Sequence, residues 1–103
     1  IDLGLRATAV HIARRLTAGQ VTVIDVYNPQ SNPGTPLRRA RHHARKPGPD
    51  PRLDWIDGSI KLLPLPDRSV HLVFMNQVLS EFWLPEERVE LLEEVRRIRT
   101  RGS

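Results

Sequence analysis

Apolar residues in the first quarter of the chain follow a strand-type pattern, then a helix-type pattern, then a strand-type pattern again. Residues 1–5 form a short apolar run typical of the end of a strand buried on both faces. Over residues 9–16 the apolar positions recur at helical spacing, with Thr8 as the expected N-cap and Gly19 as the expected left-handed residue after the helix. Residues 21–26 are rich in β-branched side chains, which predicts a second buried strand.

A proline-rich loop follows the second predicted strand. Residues 27–35 contain two Asn-Pro pairs and a Pro-Gly pair, which remove backbone donors and disfavour helix. Thr35 and Pro36 then match a helix start, as N-cap and first helical residue. The helix predicted over residues 37–46 is basic and only weakly amphipathic, and it ends at a Pro-Gly-Pro run.

Two more strands and a long helix are predicted in the second half of the chain. Residues 53–56 and 70–75 are apolar runs of strand length. Pro85 begins a helix in which an apolar residue recurs at every third position. Within it Glu93 precedes Arg97 by one helical turn, the favourable order for an ion pair along a helix.

The order of these elements predicts the fold. Strands and helices alternate as β-α-β-α-β-β-α, which favours parallel strands joined by right-handed crossovers. We expect a three-layer α/β sandwich whose predicted strands, numbered along the chain, lie in the order 3-2-1-4. Ligands of such sheets bind at the carboxyl ends of the strands where the order reverses, here between the first and fourth predicted strands.

Length and composition restrict the class of protein. The chain has 103 residues, 39% of them hydrophobic, enough for one modest core and so for one domain or part of one. It has no cysteine, which excludes disulfides, thiolate zinc sites, iron–sulfur clusters and cysteine nucleophiles. No apolar run approaches the roughly 20 residues that span a bilayer, and no signal-peptide pattern is present. We therefore expect a soluble, cytoplasmic protein that binds no membrane.

The charge of the chain is basic and unevenly distributed. The formal net charge is +4, and the excess of cations falls mainly in residues 38–52. Three cations share one face of the predicted basic helix: Arg38, Arg41 and Arg45. Such a face could follow a phosphate backbone, but no aromatic residue is interleaved for base stacking, so we interpret it as solvated and expect no nucleic-acid partner. His42 and His43 are adjacent and point in different directions on a helix, so no metal site is predicted.

A glycine and an acid mark a candidate ligand site. Gly4 precedes the first predicted helix, where backbone N–H groups and the positive helix end can face a ligand. Asp25 ends the second predicted strand about 20 positions later, the offset at which an acid holds ribose hydroxyls in a nucleotide-binding βαβ unit. Both residues have structural alternatives, since Gly4 also suits a plain turn and Asp25 also suits the cap of a loop.

Four segments in chain order carry a resemblance to a known family. Residues 2–8 are similar to an Asp-x-Gly-x-Gly-x-Gly loop, and residues 23–25 to the strand end and acid that follow it. The most specific segment, residues 57–73, is similar to a succession of Gly-Asp-Ala, Leu-Pro-Phe-x-Asp and Ser-Phe-Asp-x-Val. Residues 94–103 resemble a helix followed by a Lys-Pro-Gly-Gly turn. Together they resemble the class I, Rossmann-like S-adenosylmethionine-dependent methyltransferases over essentially the whole chain.

The resemblance implies S-adenosylmethionine as cofactor and an in-line transfer of its activated methyl group, which the protein promotes mainly by positioning. The implied cofactor contacts are Asp2 and Gly4 at the methionine part, Asp25 at the ribose and Ser59 at the adenine. Asn76 and Gln77, just past the fourth predicted strand, would face the transferring methyl group and contact the substrate. The methyl acceptor and the catalytic residues stay unidentified.

Each of these residues also has a purely structural interpretation. Asp2 could order the turn through its N–H groups, and Ser59 could bond its own backbone in a turn. Asn76 and Gln77 could be ordinary polar residues at a strand end. Trp55, Phe74, Phe82 and Trp83 are most simply core or pocket wall.

Departures from the family pattern leave alternative functions open. Arg6 and Thr8 stand where the family has glycines that let a backbone approach the cofactor. Strands five to seven are lacking, so residues 1–103 are expected to be a partial domain, truncated at both ends, whose open edge strand favours self-association. One alternative is a non-catalytic methyltransferase-like binding or assembly module. A third hypothesis is a weak polyanion binder that uses the helix at residues 37–46.

Overall fold

Among the residues that the structure describes, five regular elements and one 3-10 turn are formed. The computed structural model describes residues 1–15, 19–44, 48 and 50–100. The elements are α1 (Ala7–Arg15), β1 (Val21–Asp25), α2 (Thr35–His43), β2 (Leu53–Asp57), the 3-10 turn Leu79–Glu81 and α3 (Pro85–Ile98). The predicted α/β class is confirmed, in the form of a small domain with three helices and a two-stranded parallel sheet.

The parallel sheet brings the ends of β1 and β2 together. Its register pairs Val21 with Leu53 at one end and Asp25 with Asp57 at the other. β1 is therefore the second predicted strand and β2 the third. Two carboxylate residues thus lie side by side at the carboxyl edge of the sheet.

The first predicted strand is reduced to a single bridge. The Asp2 N–H donates to the carbonyl of Ile24 at 2.9 Å, and the Val26 N–H donates to the carbonyl of Asp2 at 3.0 Å. The prediction of a regular strand over residues 1–5 is wrong, because the backbone turns left-handed at Gly4 (φ +87°) and Arg6 (φ +70°). The bridge still lays the start of the chain parallel to β1.

The fourth predicted strand is also not formed. Val70 bridges to Arg99, and the Ile1 nitrogen donates to the carbonyl of Phe74 at 3.0 Å, but residues 70–75 make no regular ladder. A continuous apolar run needs cover on both faces to be a buried strand. Here Leu72 is 70% exposed, so that cover is missing in the part of the chain that the structure describes. The strand order 3-2-1-4 stays a prediction, because the regular pairing described involves β1 and β2 only.

The main core lies between the sheet and α3. Its most deeply buried side chains are Ile24, Leu63, Phe82, Leu91 and Ile98. A second cluster packs α1 on the sheet through Ala13, Val23 and Leu53. Burial of each large side chain contributes about 1.5–3 kcal/mol. Of the four aromatic residues predicted to be core or pocket wall, Phe82 is buried in the core and Phe74, although half exposed, lines a groove, whereas Trp55 and Trp83 are exposed.

Helix starts differ by one or two positions from the sequence prediction. α1 begins at Ala7, so Thr8 lies in its first turn and is not the N-cap. α2 is preceded by Gly34 as N-cap, so Thr35 is its first residue. Pro85 begins α3 as predicted. These shifts are of the size expected where a helix end has no side-chain cap to fix it.

Helix ends are described only in part. Gly19 has φ +105°, the left-handed conformation predicted for the residue after the first helix. Residues 16–18 lie outside the described part of the chain, as do Arg45 and Lys46 at the predicted end of the basic helix. Among the described residues, no helix is long and apolar enough to cross a membrane.

A clamp from α3 fixes the loop at residues 63–67. Glu94 accepts from the Leu63 N–H at 2.7 Å, while Arg97 donates to the carbonyls of Leu63 at 3.0 Å and Leu65 at 2.9 Å. Arg97 also pairs with Glu94 and with Asp67, both at 2.8 Å. Arg97 therefore pairs with Glu94 and Asp67 and not with Glu93, the partner predicted from the sequence. Hydrogen bonds from Arg97 lower the pKa of Glu94, and those to Glu94 and Asp67 raise the pKa of Arg97.

A buried asparagine fixes the loop after β1. The Asn32 amide oxygen accepts from the Asn28 N–H at 2.8 Å, and its amide nitrogen donates to the carbonyl of Glu81 at 3.0 Å. The adjacent Ser31 hydroxyl donates to the Glu87 carboxylate. The Asn32 amide thus satisfies backbone groups that the proline-containing loop leaves without regular pairing, and Ser31 ties the loop to α3.

Candidate functional site

The carboxyl end of β1 gathers the polar residues that the sequence singled out. Asp25 ends the strand, Asp2 pairs with it across the parallel bridge, and Gly4 opens the turn into α1. On the other side of β1, the Gly58 N–H donates to the Asp25 carbonyl at 3.0 Å. Three of the four predicted cofactor residues, and the neighbour of the fourth, therefore meet at one edge.

Asp25 is fully engaged by its neighbours. Its Oδ1 accepts from the Tyr27 N–H at 3.0 Å, which is the loop-capping role offered as the alternative to ribose binding. The Arg41 guanidinium reaches both carboxylate oxygens, with Nη1 at 3.1 Å from Oδ1 and 3.0 Å from Oδ2. Such charge-assisted contacts are stronger than hydrogen bonds between neutral groups.

Arg41 reaches this site from α2 and touches the glycine turn. Its Nη1 also donates to the carbonyl of Leu3, and its guanidinium carbon lies 3.9 Å from the centre of the Tyr27 ring. A Cβ at Gly4 would overlap the guanidinium, so only glycine permits this approach. The solvated face predicted for the basic helix is therefore wrong at Arg41.

Arg6 and Asp2 shape the turn itself. Arg6 has φ +70°, a left-handed conformation that glycine adopts without cost and that costs other residues about 1 kcal/mol or more. Its N–H donates to Asp2 Oδ2 at 3.0 Å. The carboxylate thus orders the turn from within, which is the structural role weighed against ligand contact.

Ser59 lies in a tight turn just past β2. Its hydroxyl accepts from the Lys61 N–H at 3.2 Å, and its backbone bridges to Leu62. This is the turn role offered as the alternative, while contact with adenine stays a prediction. Gly58 beside it packs against Ile24 and Pro64, which a Cβ would displace.

Asn76 and Gln77 lie next to the start of α1. The Asn76 amide donates to the Thr8 hydroxyl at 3.3 Å, and Gln77 has a left-handed backbone at φ +57°. Both residues line a groove of about 470 Å³ together with Asp2 and Thr8. The rest of its wall is mostly apolar and comes from α1, β1 and residues 69–74. The volume suits a small organic molecule.

Within the described residues, no group of three His, Cys, Asp or Glu side chains is placed to hold a metal ion. The polar groups are instead backbone N–H groups, carboxylates and amides. That donor set suits hydrogen-bonded recognition of hydroxyl and amino groups.

Comparison with known proteins decides the family. The family model described as a methyltransferase domain matches residues 4–102, nearly the whole chain. The chain belongs to this methyltransferase family. The resemblance to the class I S-adenosylmethionine-dependent enzymes is thereby confirmed. No curated protein and no solved structure matches the chain.

Sequence reasoning missed Arg41 as a site residue of this methyltransferase domain. A signal was available, because Leu37 precedes it by four positions and so shares its helix face. Leu37 is buried in the main core, which turns Arg41 toward the sheet rather than to solvent. The cation then reaches the strand-end acid.

Proposed function

We propose that this methyltransferase domain binds S-adenosylmethionine at the carboxyl end of β1 and presents its methyl group to an acceptor beside Asn76 and Gln77. The observation that supports this most directly is the meeting of Gly4, Asp2 and Asp25 at one strand edge, in the chain order that the family uses. The strand order 3-2-1-4 of a Rossmann-like sheet belongs to the same proposal.

The side chains at this edge fit the cofactor once the Arg41 guanidinium moves away. Asp25 offers two carboxylate oxygens to ribose hydroxyls, and the bare Gly4 backbone leaves room for the methionine part. Ser59, the proposed adenine contact, directly follows Gly58, whose N–H donates to the Asp25 carbonyl. When bound, the cofactor supplies an activated methyl group. The protein orients it and excludes water.

A ligand-dependent shift in thermal stability tests cofactor binding. A ligand that binds only the folded state adds about 2.7 kcal/mol at a concentration of 100 Kd. We expect both the cofactor and its demethylated product to raise the melting temperature. Asp25→Ala should abolish the shift, and Asp54→Ala on the exposed side of β2 should preserve it. Absence of a shift at millimolar ligand would contradict the proposal.

The competing function, a non-catalytic binding or assembly module, has its own support. Arg6 occupies a left-handed position of the loop where the family has glycine, and Arg41 fills the space beside Gly4. Arg6→Gly separates the two functions, because it relieves the backbone without touching Asp25. Cofactor binding that appears only in Arg6→Gly would favour a module whose loop has lost the activity.

Thr8→Gly is a poorer test of the loop. Thr8 lies in the first turn of α1 and accepts from Asn76, so glycine there weakens the helix by about 1 kcal/mol as well as opening the loop. Arg6→Gly alone is the cleaner variant.

A further inference from the structure

One side chain occupies the place assigned to the cofactor nucleoside. Arg41 bonds both carboxylate oxygens of Asp25 and the carbonyl of Leu3, and it stacks over the Tyr27 ring. Its guanidinium also covers Gly4 so closely that no other group fits between them. Asp25 is the proposed ribose contact and Gly4 the proposed methionine contact, and the Tyr27 ring offers a face to an adjoining planar base.

The contacts of Arg41 reproduce the chemistry of that ligand. Guanidinium N–H groups and ribose hydroxyls are both donors to a carboxylate, so they compete for the same Asp25 oxygens. The flat guanidinium takes the Tyr27 ring face, on which a purine would also stack. A bound nucleoside and Arg41 therefore exclude each other.

We propose that Arg41 is a built-in gate that closes the cofactor site of the empty domain and swings away when the nucleoside binds. This inference rests on the proposed function. The side chain is long, projects from the last turn of α2, and is 28% exposed, so it has a route to solvent. Opening exchanges the ion pair with Asp25 for hydration of the guanidinium, while the ligand takes over the carboxylate.

The gate lowers the apparent affinity for the cofactor, because only molecules in the open form can bind it. If the closed form outweighs the open form about ten to one, removing the gate tightens the apparent dissociation constant about tenfold. The alternative is a structural brace that ties α2 to β1. A brace would leave the intrinsic affinity of the site unchanged or would weaken it.

Arg41→Ala and Arg41→Gln test the gate by titration with S-adenosylmethionine. The matched control is Arg39→Ala, which removes one guanidinium from the exposed face of the same helix. Titrations run well below the melting temperature of each variant, with circular dichroism to verify folding. The glutamine variant keeps a polar side chain of intermediate length in case alanine destabilises α2.

The outcomes separate the gate from the proposed function. Both Arg41 variants should bind about tenfold more tightly than the wild type, and Arg39→Ala should bind within about twofold of it. Binding by the variants alone would also support the gate. Unchanged or weaker binding by the variants, beside measurable binding by the wild type, overturns the gate and leaves the function intact. No binding by any protein at millimolar cofactor overturns both.

A second measurement follows the side chain without relying on affinity. With ¹⁵N-labelled arginine, the Arg41 guanidinium signals, assigned by their loss in Arg41→Gln, should show restricted rotation in the empty protein. Saturating cofactor should convert them to the signals of an exposed arginine. Signals that stay restricted in the cofactor complex would overturn the gate.

Discussion

The loop at residues 63–67 and the segment at residues 70–77 are neighbours along the chain, yet they are held in opposite ways. Leu63 in the first is 1% exposed, whereas Leu72 in the second is 70% exposed. The loop is fixed by side chains of α3 that bond its backbone. The segment has isolated backbone bonds at Val70 and Phe74, and its side chains at Val70, Val73 and Met75 pack only partly buried against the main core.

The difference shows what a short chain can stabilise by itself. A loop needs only a few hydrogen bonds from one packed helix, and α3 supplies them. A central parallel strand needs neighbouring strands on each side and helices on both faces. β1 comes nearer to meeting them, with β2 on one side and the Asp2 bridge on the other, than residues 70–77, whose described strand pairing is the bridge of Val70 to Arg99.

The largest loss of stability is expected when the buried side chain of Leu63 is truncated. Leu63→Ala removes a side chain from the main core and leaves a cavity, which should lower the free energy of unfolding by about 2–5 kcal/mol. Chemical denaturation followed by tryptophan fluorescence and circular dichroism measures it. A loss under about 1 kcal/mol would mean that the loop is not part of the cooperative core.

Removal of the clamp should cost somewhat less. Arg97→Ala deletes the donor to two loop carbonyls and leaves the partly buried Glu94 without its cation, for an expected loss of about 2–3 kcal/mol. The matched control is Arg96→Ala on the exposed side of the same helix turn, which should stay within about 0.5 kcal/mol. Equal effects of the two variants would refute the clamp.

Acid should weaken the same clamp. Because Arg97 lowers the pKa of Glu94 in the folded state, the stabilisation is complete above the ordinary value of 4.5 and is lost as the pH falls below it. Glu94→Gln should therefore cost about 1 kcal/mol at pH 7 and progressively less below pH 4.5. Unfolding curves at a series of pH values measure the difference, and a cost that does not shrink in acid would contradict this linkage.

The smallest change in stability is expected at the exposed Leu72. Leu72→Ala should change the free energy of unfolding by less than about 0.5 kcal/mol, because the side chain loses little contact. The same denaturation assay used for Leu63→Ala gives a direct comparison of one residue type in two settings. A loss comparable with that at Leu63 would show that residues 70–77 are packed in solution.

Local patterns predicted β1, β2 and α3 from the sequence, because their hydrophobic spacing and helix starts depend on neighbouring residues alone. The strands at residues 1–5 and 70–75 were mispredicted, since strand formation there depends on pairing and cover that no local pattern encodes.

The candidate site was predictable to the same degree. The family pattern located Gly4 and Asp25, and the structure brings them together. Arg41 comes from a separate element, and its role follows from the tertiary packing of Leu37 rather than from any motif.

The parallel register has an electrostatic consequence for encounter with a ligand. Asp25 and Asp57 end adjacent strands, so once Arg41 leaves Asp25 an acidic spot of two carboxylates lies on a chain whose net charge is +4. A cationic sulfonium ligand is repelled by the whole molecule at long range and attracted at this edge at short range. Because salt screens the distant charges first, moderate ionic strength should speed its association, the reverse of what steering by opposite net charges gives.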